Sequence, residues 1–205
     1  MLRVGLTGGY ATGKTLVGKE LERLGCHVIY ADELGHLVLQ PEGEAYAATV
    51  ETFGREILNA DETINRKKLG EIVFASPELL AKLSGFVHPA VIRLEERTLG
   101  EFQRNDPDGI VVVEAAILIE TGRDAVFERL ILTSCDEETQ IARGMKRDQV
   151  TREQALARLG KQLPLKEKKR HAHYVVDTSG AKEDTARQVE RVYRSLKEYA
   201  EARRS

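Results

Sequence analysis

Short, continuously apolar runs alternate with longer amphipathic stretches along this chain. An apolar run without polar alternation is typical of a strand covered on both faces, and helical periodicity between such runs is typical of an α/β fold with a parallel sheet. The predicted strands are Leu2–Thr7, His27–Ala31, Ile110–Ala115, Leu130–Thr133 and Tyr174–Asp177. We therefore expect a five-stranded parallel sheet flanked by helices, with a last helix from Lys182 to about Arg203 packed on the core.

The spacing of the predicted strands is uneven. Nearly eighty residues separate the second and third strands, far more than one crossover helix needs. This helical insertion, residues 33–107, has Asn65, Ser76-Pro77 and His88-Pro89 where helices should start, because proline suits a first helical turn. The predicted helices are Gly43–Phe53, Arg66–Phe74, Pro77–Val87 and Pro89–Asn105. A second insertion spans residues 136–171, and the predicted core comprises residues 1–32, 108–135 and 172–205.

Composition narrows the class of protein. The 205 residues are 41% hydrophobic and carry a net charge of −2, which does not indicate a nucleic-acid binder. The two cysteines, Cys26 and Cys135, have no metal-ligand spacing and are expected to be buried free thiols. No apolar stretch has membrane-spanning length and no signal-peptide pattern opens the chain, so we expect a cytoplasmic protein with no membrane partner.

A glycine-rich loop follows the first predicted strand. Residues 8–15 read Gly-Gly-Tyr-Ala-Thr-Gly-Lys-Thr, which fits the G-x-x-x-x-G-K-[ST] pattern of phosphate-binding loops. Backbone N–H groups of such a loop converge on phosphate oxygens, Lys14 would reach the β- and γ-phosphates, and the Thr15 hydroxyl would bind Mg²⁺. We therefore expect ATP and Mg²⁺ to bind here. The expected nucleotide-binding residues are Gly8, Gly9, Tyr10, Ala11, Thr12, Gly13, Lys14, Thr15 and Leu16.

The second insertion is strongly basic. Residues 141–171 contain ten Lys or Arg and three acidic residues. Arg143 and Arg147 lie four apart on one face of a helix predicted to begin near Glu137, and we expect them on a flap that closes over the triphosphate. The Lys166–Arg170 cluster has a simpler alternative, a solvated helix face.

Two acidic residues end predicted strands. Asp32, at the carboxyl end of the second strand, is the candidate base for the acceptor hydroxyl, because that edge should lie beside the phosphate loop. It could instead cap a helix starting at Glu33. Glu114 ends the third strand, where an acidic residue can support Mg²⁺ through water. A buried carboxylate paired with a local Arg or a backbone N–H is an equal alternative.

The helical insertion holds two further candidates. Arg66 could clamp an anionic acceptor or could be an exposed first-turn residue. His88, before Pro89, could contact substrate or could hold down a helix start. His171 and His173 have no carboxylate or cysteine spacing that would indicate a metal site.

With these pieces in place, the chain resembles the dephospho-coenzyme A kinase family over nearly its whole length. The order and spacing of several short motifs carry the resemblance, since each motif alone is weak. They are Leu6-Thr7-Gly8-Gly9, Val28–Asp32, Ile64-Asn65-Arg66, Leu69, Ile72-Val73-Phe74, Val87-His88-Pro89, Glu114, Leu118-Ile119-Glu120, Glu138-Thr139-Gln140, Arg143, Arg147-Asp148, Arg158-Leu159, Gln162 and Ser179-Gly180.

The resemblance implies ATP-dependent phosphorylation of the 3′-hydroxyl of dephospho-CoA. It implies a nucleotide-kinase-like sheet, a helical CoA-binding domain and a lid, which match the two insertions. Asp32, Lys14, Arg143 and Arg147 would then be catalytic. The residues expected to contact the acceptor are Thr7, Asp32, Arg66, His88 and Glu114. Association state stays open between a monomer and a small homo-oligomer.

The chain departs from the family pattern at several positions. Tyr30 stands where a second aspartate is common, and Ala116 where a proline is usual. Ala11 replaces a glycine of the loop, while Thr12 and Thr15 replace serines. Near the last strand, His173 and Thr178 replace a common Asp and Asn. None of these changes removes a group that phosphoryl transfer requires.

Other functions remain as alternatives. Another small-molecule kinase, acting on a nucleoside monophosphate or a sugar acid, would share the loop, sheet and lid. A GTPase-type switch is disfavoured because no N-K-x-D motif is present. Two further alternatives remain: a regulatory nucleotide-binding protein without kinase activity, and a nucleic-acid-stimulated ATPase that uses the basic insertion.

Overall fold

A five-stranded parallel sheet organises the chain in the computed structural model, which describes residues 1–204. Its strand order is β2-β3-β1-β4-β5. The strands are β1 (Leu2–Gly8), β2 (His27–Tyr30), β3 (Ile110–Glu114), β4 (Arg129–Ser134) and β5 (Tyr174–Asp177). The predicted fold class is confirmed, with strand ends within one residue of expectation. The order also shows that β3, and not β2, is the neighbour of β1.

The apolar runs explain the central strands. β1 pairs in parallel with β3 on one side and β4 on the other, so Leu2, Val4 and Leu6 are buried within the sheet. All five residues of β3 are buried as well. Burial on both faces accounts for the lack of polar alternation in these runs.

The described residues 1–204 contain nine α-helices. They are α1 (Lys14–Arg23), α2 (Ala31–Leu37), α3 (Tyr46–Phe53), α4 (Arg66–Phe74), α5 (Pro77–Asn105), α6 (Glu137–Asp148), α7 (Arg152–Leu159), α8 (Leu165–Lys168) and α9 (Lys182–Ala202). The predicted last helix is confirmed, since Val189, Val192 and Leu196 of α9 lie in the same core cluster as β1. No helix in this described range is long and apolar enough to cross a membrane.

The chain divides into two compact units. The first comprises residues 1–29 and those from 102 onward, and contains the sheet, the phosphate loop and α6 to α9. The second comprises Tyr30–Glu101 and is helical, with its own apolar cluster around Phe53, Ile57 and Leu69. Asn65 caps α4 by accepting a hydrogen bond from the Lys68 N–H at 3.1 Å, as its position before the helix predicted.

The two helices predicted at Pro77–Val87 and Pro89–Asn105 form a single helix in the structure. The expected break at His88-Pro89 is absent, and α5 runs unbroken from Pro77 to Asn105 with Pro89 inside it. Proline has no N–H to donate to the Gly85 carbonyl, so one helical hydrogen bond is missing there. His88 therefore does not hold down a helix start, and the predicted helix boundary at Pro89 is wrong.

Candidate functional site

The phosphate loop connects β1 to α1. Gly13 is the residue before α1 and adopts φ +78°, a left-handed conformation that glycine tolerates. Ala11 also lies in the left-handed region, at φ +54°, which is uncommon for a residue with a side chain and falls where the family pattern has glycine. Lys14 opens α1, and its Nζ lies 3.3 Å from the Gly9 carbonyl oxygen. The loop therefore curls back on its own lysine.

A side-chain hydrogen bond holds the phosphate loop to β4. The Thr12 hydroxyl donates to the Gly9 carbonyl oxygen at 2.9 Å and lies 2.7 Å from the Thr133 hydroxyl. A side chain at Gly8 would collide with both threonines, because its Cβ would lie 2.5 Å from Thr12 Oγ1. The loop path thus requires glycine at position 8.

Two oxygen-bearing side chains that could bind a divalent cation meet beside the loop. The Thr15 hydroxyl donates to Glu114 Oε2 at 3.4 Å, and Glu114 is buried at the end of β3. Mg²⁺ prefers hard oxygen ligands and usually keeps several waters, so one hydroxyl beside one carboxylate fits it. The structure brings together these two residues, which the sequence placed 99 positions apart.

Arg143 of α6 reaches the opposite end of the loop. Its guanidinium donates to the Thr178 carbonyl oxygen at 2.6 Å, and the Thr178 hydroxyl donates to the Thr12 carbonyl oxygen at 2.9 Å. A cavity of about 190 Å³ opens here, lined by Gly13, Leu16, Arg143, Thr178, Gly180, Lys182 and Thr185. Thr178 was not among the predicted site residues, although the adjacent Ser179-Gly180 motif indicated this turn.

Arg147 belongs to a separate polar cluster with loop residue Tyr10. Asp148 accepts a 2.6 Å hydrogen bond from the Tyr10 hydroxyl, two hydrogen bonds from Arg147 and an ion pair from Arg158. The Arg147 guanidinium also lies 5.2 Å from the centroid of the Tyr10 ring. We call these four residues the Asp148 cluster. Arg143 and Arg147, predicted on one helix face, thus have different partners, Thr178 after β5 and Tyr10 of the loop.

The charges in the Asp148 cluster shift its titration. Hydrogen bonding from Arg147 holds the pKa of Asp148 well below its usual range. Burial raises the pKa of Tyr10, and the hydrogen bond to Asp148 adds to that shift. Asp148 is therefore a carboxylate at neutral pH, and Tyr10 is its neutral donor.

A larger cavity of about 440 Å³ lies next to this cluster. The loop supplies Gly9 and Tyr10, and Cys135 and the N-terminal part of α6 supply a second wall. The connection from α7 to α8, residues 159–165, forms the rest of the lining. Burial raises the pKa of Cys135, so its thiol stays protonated at neutral pH, and the predicted burial of both cysteines is confirmed.

The second unit holds Asp32, Arg66 and His88. Asp32 is exposed in the first turn of α2, which begins at Ala31, so the alternative that it caps a helix from Glu33 is wrong. Partial desolvation lowers the pKa of His36, and the neighbouring Arg66 charge lowers it further, whereas Asp32 raises it. Asp32 and Arg66 therefore both lie close enough to act on His36, and His88 is exposed on α5.

One residue of the basic cluster is not solvated as expected. Lys168 is completely buried, whereas Lys166, Lys169 and Arg170 are exposed. Helix α8 turns this one side chain inward, so the interpretation of the cluster as a solvated face is wrong at position 168.

Comparison with known proteins adds to this geometry. A family model described as dephospho-CoA kinase matches residues 2–184. A dephospho-CoA kinase of Geobacter metallireducens is 43% identical over 92% of this chain and 94% of its own length. A dephospho-CoA kinase domain-containing protein of Danio rerio is 39% identical over 96% of this chain and 86% of its length.

A solved structure agrees with the sequence relatives. The dephospho-CoA kinase from Campylobacter jejuni superposes with a TM-score of 0.70, at 26% identity, over 96% of this chain and 97% of the other. The match thus extends over the sheet, the phosphate loop, the helical second unit and the basic insertion. On this fold, this loop and these relatives, the chain belongs to the dephospho-CoA kinase family of phosphotransferases.

Proposed function

We propose that this protein transfers the γ-phosphoryl group of Mg·ATP to the 3′-hydroxyl of dephospho-CoA, giving coenzyme A. The phosphate loop is the observation that supports ATP binding, because the Lys14 ammonium lies against the Gly9 carbonyl oxygen and the Thr15 hydroxyl lies against the Glu114 carboxylate. Family membership supports the acceptor half. We further expect a cytoplasmic enzyme that acts as a monomer or small homo-oligomer and binds neither nucleic acid nor membrane.

The loop residues 8–16 would hold the triphosphate through backbone N–H groups, with Lys14 on the β- and γ-phosphates. Thr15 and Glu114 would hold Mg²⁺, which neutralises charge on the phosphate oxygens when bound. Phosphoryl transfer needs little covalent chemistry from a protein, so positioning and charge neutralisation are what these side chains contribute.

The two lid arginines, Arg143 and Arg147, would bind different parts of the nucleotide. Arg143 lines the 190 Å³ cavity beside Gly13 and Leu16, a position suited to the base and ribose end. Arg147 lies over the ring of the loop residue Tyr10 and is suited to the phosphate end of the nucleotide. A guanidinium is always charged and binds phosphate with two parallel N–H groups, so Arg147 would stabilise negative charge that builds up during transfer.

The acceptor would be bound by Asp32, Arg66, His88 and Glu114. Thr7, also expected to contact it, is completely buried with its hydroxyl donating to the Ala116 carbonyl oxygen, so it would support the site from within the sheet. Asp32 would orient the acceptor hydroxyl and accept its proton as the phosphoryl group arrives, which makes it the general base. Arg66 and His88, both exposed on the second unit, would contact the anionic parts of dephospho-CoA. The support for these roles is the family resemblance of the motifs that contain them.

The test is a mass-spectrometric turnover assay with Mg·ATP and dephospho-CoA, adenosine, AMP and gluconate as separate acceptors. We expect ADP and a product of the mass of CoA only with dephospho-CoA. Turnover of another acceptor would indicate a different small-molecule kinase, and silence with all four would indicate a regulatory nucleotide-binding protein.

The base is tested by Asp32→Asn, with Glu33→Gln as the matched control in the same helical turn. We expect Asp32→Asn to lower kcat at least about 10²-fold with little change in ATP affinity, because general-base catalysis typically contributes about 10²–10⁴-fold. Glu33→Gln should retain near-normal kcat. Full activity of the Asp32 variant would remove this residue as the base.

A further inference from the structure

Lys168 is a cation in an unusual place. Its side chain is completely buried, and it is the one lysine or arginine in the buried set of residues 1–204. A buried ammonium is costly unless every N–H has an acceptor and a negative charge is close. The side chain of a lysine on a short surface helix could extend into water at little cost, so a specific set of contacts must hold Lys168 inside.

Three acceptors satisfy the three N–H bonds of this ammonium. Lys168 Nζ lies 2.8 Å from Glu120 Oε1, 2.8 Å from the Ala116 carbonyl oxygen and 3.2 Å from the Gly8 carbonyl oxygen. Glu120 Oε1 also accepts the Leu163 N–H at 3.1 Å, which ties the entry to α8 to the same carboxylate. The donors and acceptors therefore match one to one at the lysine.

Two of these acceptors belong to the adjacent segments that follow β1 and β3 and that form the proposed triphosphate and Mg²⁺ site. Gly8 is the last residue of β1 and the first of the phosphate loop. Ala116 follows β3 by two residues and lies two positions beyond Glu114, and its carbonyl oxygen also accepts from the Thr7 hydroxyl at 3.2 Å. A single nitrogen thus joins the start of the loop to the segment that carries the metal-side carboxylate.

The contact with Gly8 also sets the direction of the loop backbone. A trans peptide is planar, so binding the Gly8 carbonyl oxygen fixes the plane of the Gly8–Gly9 peptide and the point where the chain leaves β1. Leu165, on the same helix as Lys168, supports this, because its Cδ2 lies 3.2 Å from where a Cβ at Gly9 would be. Helix α8 therefore packs against the loop entrance through two side chains.

We propose that Lys168 is a positioning residue for nucleotide binding. It holds the Gly8 and Ala116 carbonyl groups in register, so that the loop and Glu114 face the triphosphate at the correct separation before ATP arrives. The inference rests on the proposed phosphoryl-transfer function insofar as ATP occupies this loop. A site that must shift even slightly to bind its ligand loses affinity, so preorganisation by Lys168 should be visible as nucleotide affinity.

The experiment compares Lys168→Met, Lys168→Met/Glu120→Gln and the exposed control Lys166→Met. Binding of a non-hydrolysable ATP analogue with Mg²⁺ is measured by calorimetry without any acceptor, alongside Tm, kcat and both KM values. We expect Lys168→Met to weaken analogue binding and raise KM for ATP by about tenfold or more, as for a lost charge-assisted hydrogen bond. KM for dephospho-CoA should change by less than about twofold.

The double variant separates positioning from charge balance. The double variant removes the partly buried Glu120 charge that Lys168→Met leaves without a cation, so we expect most of the Tm lost in Lys168→Met to return while analogue binding stays weak. The proposal is overturned if the double variant binds the analogue like the unmodified protein, or if Lys168→Met itself does so. If Lys168→Met does not fold, the double variant alone decides by the same criterion.

The outcome for the proposed function is read separately. Unmodified protein that binds the analogue but does not phosphorylate dephospho-CoA would refute the acceptor assignment and leave the positioning role intact. Unmodified protein that does not bind the analogue at all would refute both.

Discussion

The Asp148 cluster makes a quantitative prediction about stability. Asp148 receives one hydrogen bond from Tyr10 of the phosphate loop, two from Arg147 and an ion pair from Arg158, and its side chain is only 16% exposed. Asp148→Asn keeps the shape of this side chain and removes its charge. The cluster joins α6 and α7 to the loop, so its weakening should lower the stability of the first unit.

The magnitude follows from the partners. A neutral hydrogen bond such as that from Tyr10 contributes about 1 kcal/mol. The Arg147 and Arg158 side chains are 61% and 48% exposed, so solvent screening limits each ion pair to about 0.5–1 kcal/mol. Since asparagine retains one acceptor oxygen, we expect a loss of about 2 kcal/mol. For a chain of 205 residues this lowers Tm by about 4–8 °C.

The pH dependence has a definite sign. The pKa of Asp148 is lower in the folded protein than its unfolded value of about 3.9, so its stabilising contribution is present above that value. The contribution is lost as pH falls through the folded-state pKa, because both states then bind the proton. The Tm difference between the unmodified protein and Asp148→Asn should therefore be constant between about pH 5 and pH 8 and shrink in more acidic solution.

Differential scanning calorimetry at pH 7, 5 and 4 provides the assay, with Glu153→Gln on α7 as a control for loss of one exposed negative charge. The control should shift Tm by less than about 1–2 °C. An Asp148→Asn variant as stable as the control at pH 7 would refute the reasoning. A Tm difference that widened on acidification would contradict the assigned charge state.

Three further predictions concern the first unit. Gly144→Ala should lower stability by about 1–3 kcal/mol, because its Cβ would lie 2.6 Å from Tyr10 Cζ, and an unchanged Tm in thermal unfolding would contradict this close packing. Lys14→Ala should lower kcat at least about 10²-fold and weaken ATP binding, and unchanged ATP kinetics would contradict the loop assignment. Burial raises the pKa of Cys26 to about 12, so native protein at pH 8 should resist iodoacetamide at this position, as peptide mapping would show, with labelling after unfolding as the control.

Much of the architecture was predictable because its signals are local. Five apolar runs predicted five strands, and the loop motif predicted a strand–loop–helix unit that the structure shows at β1 and α1. Asn65 was correctly placed before a helix, because side-chain capping acts over three residues. The prolyl signal at Pro89 failed, since packing along the 29 residues of α5 compensates for one missing hydrogen bond.

The site was only partly predictable, because several of its contacts join residues that are distant in sequence. The loop, Lys14 and Thr15 were identified from consecutive residues, whereas the facing of Thr15 and Glu114 depends on the pairing of β1 with β3. Thr178 was not predicted to position Arg143, because the two residues are 35 positions apart and meet only when β5 lies beside β4.

The sequence by itself determined the fold class, the phosphate loop and the family, since each depends on hydrophobic periodicity or on motifs read in order. Tertiary structure alone decided which charges are paired and which side chains are buried. Lys168 shows the difference most clearly, because nothing in a run of basic residues tells which one will turn inward. That choice depends on acceptors at Gly8, Ala116 and Glu120, which are distant in sequence and converge only once the sheet has formed.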